Sequence, residues 1–150
     1  MTELGTQDLT ENIRGTLQTW QKWGAASPAI ASFSHSVLNA QTCWLGVRKI
    51  RLMRRLKIEG ESLTELNADG PFPDAGCSLE ITSLEAQGQP YWTLGLESFG
   101  KPDQVVRLLL QAASYFFDKE AQAVLASIPL DIEHSQAYPA WLNHLIYQKA

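Results

Sequence analysis

The stretch from Lys49 to Ile58 constrains this chain more than any other part of it. Ile50, Leu52, Leu56 and Ile58 share one parity, and Lys49, Arg51, Arg55 and Lys57 share the other. Successive side chains of a strand point to opposite faces, so a period of two separates an apolar side from a charged one. On a helical wheel the same apolar residues scatter. The spacing therefore predicts a half-buried strand with a basic outer face. Two residues break the pattern: Met53 falls on the basic side and Arg54 on the apolar side. A buried arginine must meet a carboxylate or a cluster of carbonyls. A bulge or register shift that returns Arg54 to solvent is the alternative.

The same window, RKIRLMRRLK at 48–57, holds six of the twelve Lys and Arg residues and no acid. The chain as a whole carries a formal charge of −4. The other 140 residues hold six basic and sixteen acidic side chains, a balance of −10. An acidic remainder repels a polyanion, so an anionic partner has to meet one local patch. An acidic protein suits that patch better than nucleic acid does, because only Tyr91 offers a stacking ring on the same face.

With 150 residues, 45% of them apolar, the chain is long enough to bury a core without disulfides or metals, and a single α+β domain over 1–150 is expected. No apolar run approaches the roughly 18 residues that a membrane span needs. The first ten residues are polar, include Glu3 and Asp8, and lack the basic and apolar regions of a signal peptide, which predicts a cytoplasmic location. Cys43 and Cys77 stand in no CxxC pattern and read as buried thiols. His35, His134 and His144 have no ligand spacing, so no metal is expected.

Local signals place the other elements. Asp8 followed by Glu11 resembles a helix start, and Ile13, Leu17, Trp20 and Trp23 follow at helical spacing up to Gly24. Ser27-Pro28 starts a second helix with Ile30, Phe33 and Val37 as its stripe. The chain is thus expected to open with a helical hairpin over 9–24 and 28–39. Residues 59–77 are rich in Gly, Pro and Asp and read as a long loop with one turn near 63–66. A hairpin follows, with Leu79, Ile81, Trp92, Leu94 and Leu96 on an inner face and Glu80, Thr82, Tyr91, Thr93 and Glu97 on an outer one. Its turn lies at 86–90. Two further helices follow, one opened by 100–103 and ended by Pro129, which either breaks or continues at 118–120, and one begun by Tyr138-Pro139. Helices and strands fall in separate blocks. An α+β fold is expected: an antiparallel sheet of three or more strands, with the helical hairpin and the C-terminal helices packed on one face.

Chemistry-bearing motifs are few. Gly95 to Lys101 has the G-x-x-x-x-G-K spacing of a phosphate loop. Pro102 stands where a magnesium-binding hydroxyl belongs, and Glu97 opposes phosphate, so the glycines read as a kink and a turn. There is no G-x-S-x-G. Ser34-His35-Ser36 and His134-Ser135 are neighbours in sequence, which does not bring side chains together at a reacting atom. Phe72, between Pro71 and Pro73, is either an exposed hook or an anchor for its loop. Exposed tryptophans would mark an oligomer interface.

The segments YWTLGLESFG at 91–100, AYPAWL at 137–142 and WLGVRKIRLMRRL at 44–56 resemble motifs of small uncharacterised proteins of cyanobacteria. That resemblance implies no activity and no cofactor. The alternating Lys, Arg and Glu also suggest comparison with the triphosphate-tunnel fold. That fold begins with an E-x-E-x-K strand, whereas helices are expected at the start of this chain.

These readings converge on a non-enzymatic interaction or assembly factor. It docks an acidic macromolecule through Lys49, Arg51, Arg55 and Lys57, helped by Phe72 and Tyr91. A small anionic-ligand or phosphoester site on the same face, drawing on Arg54, Glu80 and Glu97, is the alternative. A ligand site needs concavity, whereas a docking face is flat and screened by salt.

Overall fold

The computed structural model describes residues 2–20, 47–67, 69–128 and 130–147. Among the described residues strand outweighs helix, 46% against 22%. The elements are β1 (Thr2–Asp8), β2 (Arg14–Thr19), β3 (Val47–Glu59), β4 (Ser62–Leu66), β5 (Gly76–Ala86), β6 (Gln89–Phe99), α1 (Val105–Phe116), α2 (Lys119–Leu125) and α3 (Tyr138–Tyr147). They fall into two compact units, Met1–Gln21 with Leu110–Ala150, and Lys22–Leu109.

The N-terminus corrects the expected fold class. The described residues are mostly β, and a strand pair stands where the first helix of a hairpin was expected. β1 and β2 are antiparallel, and the Ile13 carbonyl accepts from the amides of Leu9 and Thr10 to close their turn. Asp8, which reads as a helix cap, instead pairs across the hairpin with Arg14 Nε at 2.9 Å. Residues 14–19, RGTLQT, supply a glycine and two threonines, which are poor helix formers, and threonine favours a strand. A cap signal and a few apolar residues at helical spacing did not outweigh that composition. The second expected helix, 28–39, lies outside the described residues, as do Trp23, His35, Cys43 and Trp44. In this first unit β2 is tied to the segment before α3. The Arg14 amide donates to the Leu130 carbonyl at 3.1 Å, and the Thr16 amide donates to Ser135 Oγ at 2.8 Å.

The second unit is built on a four-stranded antiparallel sheet of order β4-β3-β5-β6. The strand expected at 49–58 is there as β3, extended by two residues at its start and one at its end. β3 pairs with β5 from Val47↔Ala86 to Lys57↔Gly76 without a break. That unbroken register excludes a bulge at Arg54. The β5–β6 hairpin turns through Gln87 and Gly88, both at positive φ, 52° and 72°, which is the signature of a type I′ turn. β4 lies inside what reads as a long loop. Glu59↔Ser62 closes a two-residue turn whose first residue, Gly60, has φ 63°, where a type II′ turn needs glycine. Five residues, SLTEL, are too short a run for periodicity to distinguish from a loop.

Buried apolar residues of this unit include Leu56, Ile58, Cys77, Leu79, Leu84, Leu108 and Leu109. Gly76 is held against the Leu56 carbonyl, in the space a side chain would occupy. β6 runs on to Phe99, so the apparent phosphate loop is largely strand. Gly100, at φ 143°, makes the exit turn, close to Leu108 and Ala75. Of the two alternatives at 118–120, the helix breaks: Asp118 Oδ1 accepts from the Ala121 amide at 2.9 Å and caps α2. No helix among the described residues is long and apolar enough to cross a membrane.

Candidate functional site

Cross-strand register sets which side chains of the sheet share a face. Lys49, Arg51, Met53, Arg55 and Lys57 of β3 face the same way as Ser78, Glu80, Thr82 and Leu84 of β5 and Tyr91, Thr93 and Glu97 of β6. The opposite face holds Arg48, Ile50, Leu52, Arg54 and Leu56, with Leu79, Ile81 and Ser83, and then Trp92, Leu94 and Leu96. The four cations expected on one side are on one side. Their surroundings are not the uniform solvated surface that alternation implies.

Arg55 departs furthest from that expectation. It is only 6% exposed. Its Nη1 donates to the Gly70 carbonyl at 3.2 Å, and its Nη2 to Met53 Sδ at 3.7 Å. The Phe72 ring lies over the guanidinium, 4.2 Å from its carbon to the ring centroid. Asn67 shapes the loop that delivers these partners: its side chain accepts from the Asp69 amide and its carbonyl from the Gly70 amide. Phe72 is 63% exposed and also packs against Phe99, ring centroids 4.5 Å apart and planes tilted by 55°. It is hook and anchor at once. Arg55 Nε and the Oγ of Ser78, its partner in register, are both buried without a hydrogen-bond partner.

The other cations are paired to differing degrees. Arg51 reaches Glu80 at 3.7 Å, and Glu80 also accepts from Thr82 Oγ1 at 2.6 Å. Lys57 pairs with Glu59 at 2.9 Å. Arg54 stays on the apolar parity and half exposed, and Glu65 of β4 holds it side-on, Nε and Nη2 each 2.7 Å from a carboxylate oxygen. The carboxylate that a buried or half-buried arginine requires is thus supplied by the strand the sequence concealed. Arg54 therefore lies on the other side of the sheet from Glu80 and Glu97, and the three do not converge. Tyr91 is half-buried opposite Leu84.

The hairpin's inner and outer faces also depart from alternation. Ile81 and Trp92, expected inside, are 45% and 51% exposed, while Thr82, expected outside, and Leu84, of the same parity, are 1% and 3% exposed. Ile50 and Leu52 of β3 are 69% and 72% exposed on the same side as Ile81 and Trp92. Four large apolar side chains thus lie together on three adjacent strands. Period-two reading finds the parity of such residues but not which parity is covered. That is decided by segments distant in sequence.

Two further groups complete the chemistry. Asp131 accepts from His134 Nδ1 at 2.8 Å and from the His134 amide, and these bonds hold its carboxyl below the usual range. Ser135 Oγ accepts from the Thr16 amide, so the sequence His134-Ser135 is used structurally. Cys77 is fully buried, and burial pushes its thiol up to about 12. Among the described residues no group of three or more His, Cys, Asp or Glu could hold a metal ion. Comparison with protein-family models, with curated proteins and with solved structures returned no match in any of the three.

Proposed function

We propose that this chain is a non-enzymatic interaction module and that the outer half of β3, Val47 to Arg54, docks an acidic, partly apolar segment of a protein partner. One observation carries the reading. This stretch has β5 along one edge and, among the described residues, no strand along the other, because β4 begins to pair only at Arg55. It exposes Ile50 and Leu52 on one face and places Lys49 and Arg51 on the other, with Arg48 and Arg54 beside the apolar pair.

An open edge offers backbone donors and acceptors to an added strand. Lys and Arg beside such an edge also discourage self-pairing. A merely protective edge has no use for two exposed aliphatic side chains continuous with Ile81 and Trp92, and a docking strand does. The local cations select an acidic partner and speed its encounter. The docking element is therefore the strand with both its faces, rather than the four-cation face alone, since Arg55 is covered.

The test is fluorescence anisotropy with a labelled extended peptide of alternating Glu and Leu. Lys49→Glu with Arg51→Glu, and separately Ile50→Ser with Leu52→Ser, are each expected to weaken binding at least about tenfold, the first effect shrinking as salt rises. Binding that neither pair alters, or tighter binding of a single-stranded oligonucleotide, overturns the reading.

A further inference from the structure

Arg55 is a buried cation with no carboxylate partner among the described residues. A guanidinium removed from water is costly unless a counter-charge and hydrogen bonds replace its hydration. Here the chain supplies one carbonyl, one thioether sulfur and the face of an aromatic ring. The Nε–H remains unsatisfied, and so does the Ser78 hydroxyl. The two residues are both 6% exposed and stand directly opposite on adjacent strands. Such pairs have Cβ atoms about 4.5–5.5 Å apart.

The neighbouring arginine shows what this arrangement fits. Arg54 uses its Nε and Nη2 edge to hold both oxygens of Glu65. The same edge of Arg55 is the one without a good acceptor, because Nε has none and Nη2 has only the Met53 sulfur. Its other terminal nitrogen, Nη1, is engaged by Gly70. We propose that Arg55 and Ser78 form a binding site for a single carboxylate group, closed by the Phe72 ring. The planar edge takes the two oxygens side-on, and the serine hydroxyl donates to one of them.

A monoanion suits the site better than a phosphate dianion. Arg55 is the single buried cation among the described residues, and Glu97 and Glu80 share its face. Phe72 is the cover because it is 63% exposed while the guanidinium beneath it is not. The carboxylate belongs either to a free small molecule or to an acidic side chain of a docked partner.

The site is tested on the full chain by following the arginine Nε–H resonances during titration with sodium acetate, against sodium chloride at equal ionic strength. The Arg55 signal is assigned by its loss in Arg55→Lys and, independently, by its displacement when Phe72→Ala removes the ring above it. A saturable shift of that signal with acetate alone is expected. Ser78→Ala should weaken it about tenfold, as loss of a hydrogen bond to a charged group does. Phe72→Ala should bring it to several-fold lower concentration. An equal response to chloride, an equal response at exposed Arg51, or a response indifferent to Ser78→Ala overturns the proposal.

The Glu/Leu peptide and a Gln/Leu counterpart separate the two sources. A shift of Arg55 with the first and not the second assigns the carboxylate to a partner's side chain. A shift with acetate but with neither peptide assigns it to a free small carboxylate. Acetate has no strand to dock, so failure of the β3 docking reading leaves the acetate result standing, and failure of the acetate titration leaves peptide docking standing.

Discussion

Arg54 and Arg55 are adjacent on β3 and face opposite sides of the sheet, and a carboxylate holds only the half-exposed one. Glu65 grips Arg54 with two 2.7 Å contacts, while Arg55, beneath Phe72, has no carboxylate partner among the described residues. Their removal should therefore have opposite consequences. Arg54→Met loses a bidentate pair that is partly screened by solvent and is expected to cost about 0.5–1 kcal/mol. Arg55→Met relieves an uncompensated buried charge while keeping similar volume, and is expected to leave stability unchanged or raise it by about 1 kcal/mol. Urea unfolding of both variants checks this. A loss for Arg55→Met larger than that for Arg54→Met would show that the carbonyl and the ring satisfy the guanidinium.

The tightest steric constraint on the sheet is at Gly76. A Cβ there would sit 1.9 Å from the Leu56 carbonyl oxygen, and backbone cannot swing aside as a side chain can. Gly76→Ala is expected to destabilise the chain by about 2–3 kcal/mol or more, by forcing β3 and β5 apart. Gly95→Ala, with nothing within 4 Å of the added carbon, is the control and should cost far less. Thermal melts of the two variants compare them.

Gln87 carries an avoidable strain. It sits at φ 52° in the I′ turn, where Asn and Gly are favoured. Gln87→Asn should raise stability by about 0.5–1 kcal/mol without altering the sheet, a gain visible as a higher urea midpoint at constant slope.

Cys77 makes stability fall at alkaline pH. Burial raises its thiol from 9 to about 12, so above pH 9 the unfolded chain releases a proton that the folded chain keeps. The contribution is whole below pH 9 and is lost as pH climbs towards 12, by about 1.4 kcal/mol for each unit. In a Cys43→Ser background, the stability difference from Cys77→Ala should shrink by about 1 kcal/mol between pH 9 and 10, where the unfolded thiol goes from half to mostly ionised. The folded thiol should also resist an alkylating reagent at pH 8 that labels it once the chain is unfolded.

Much of the second unit, and the last helix of the first, was legible before folding. The alternation over 49–58 identified β3 and grouped Lys49, Arg51, Arg55 and Lys57. The turn near Gly88 placed the β5–β6 hairpin, and Tyr138-Pro139 placed the start of α3. These are local properties: side-chain parity, glycine at a positive φ, and proline in a first helical turn all act within a few residues.

Other features rested on segments far apart in the chain. The first unit begins with strands because Asp8 found Arg14 across a turn, and the Ile13 carbonyl closed that turn, where cap and spacing alone pointed to a helix. Arg54 kept its parity because Glu65 came from an unforeseen β4. Arg55 became buried because a loop 12 to 17 residues onward laid Gly70 and Phe72 on it. Ile50, Leu52, Ile81 and Trp92 stayed exposed although their parity reads as a core. The sequence by itself determined which side chains share a face, since parity follows from backbone geometry. Only the tertiary structure decided which of those faces meets water, since burial depends on what distant segments cover.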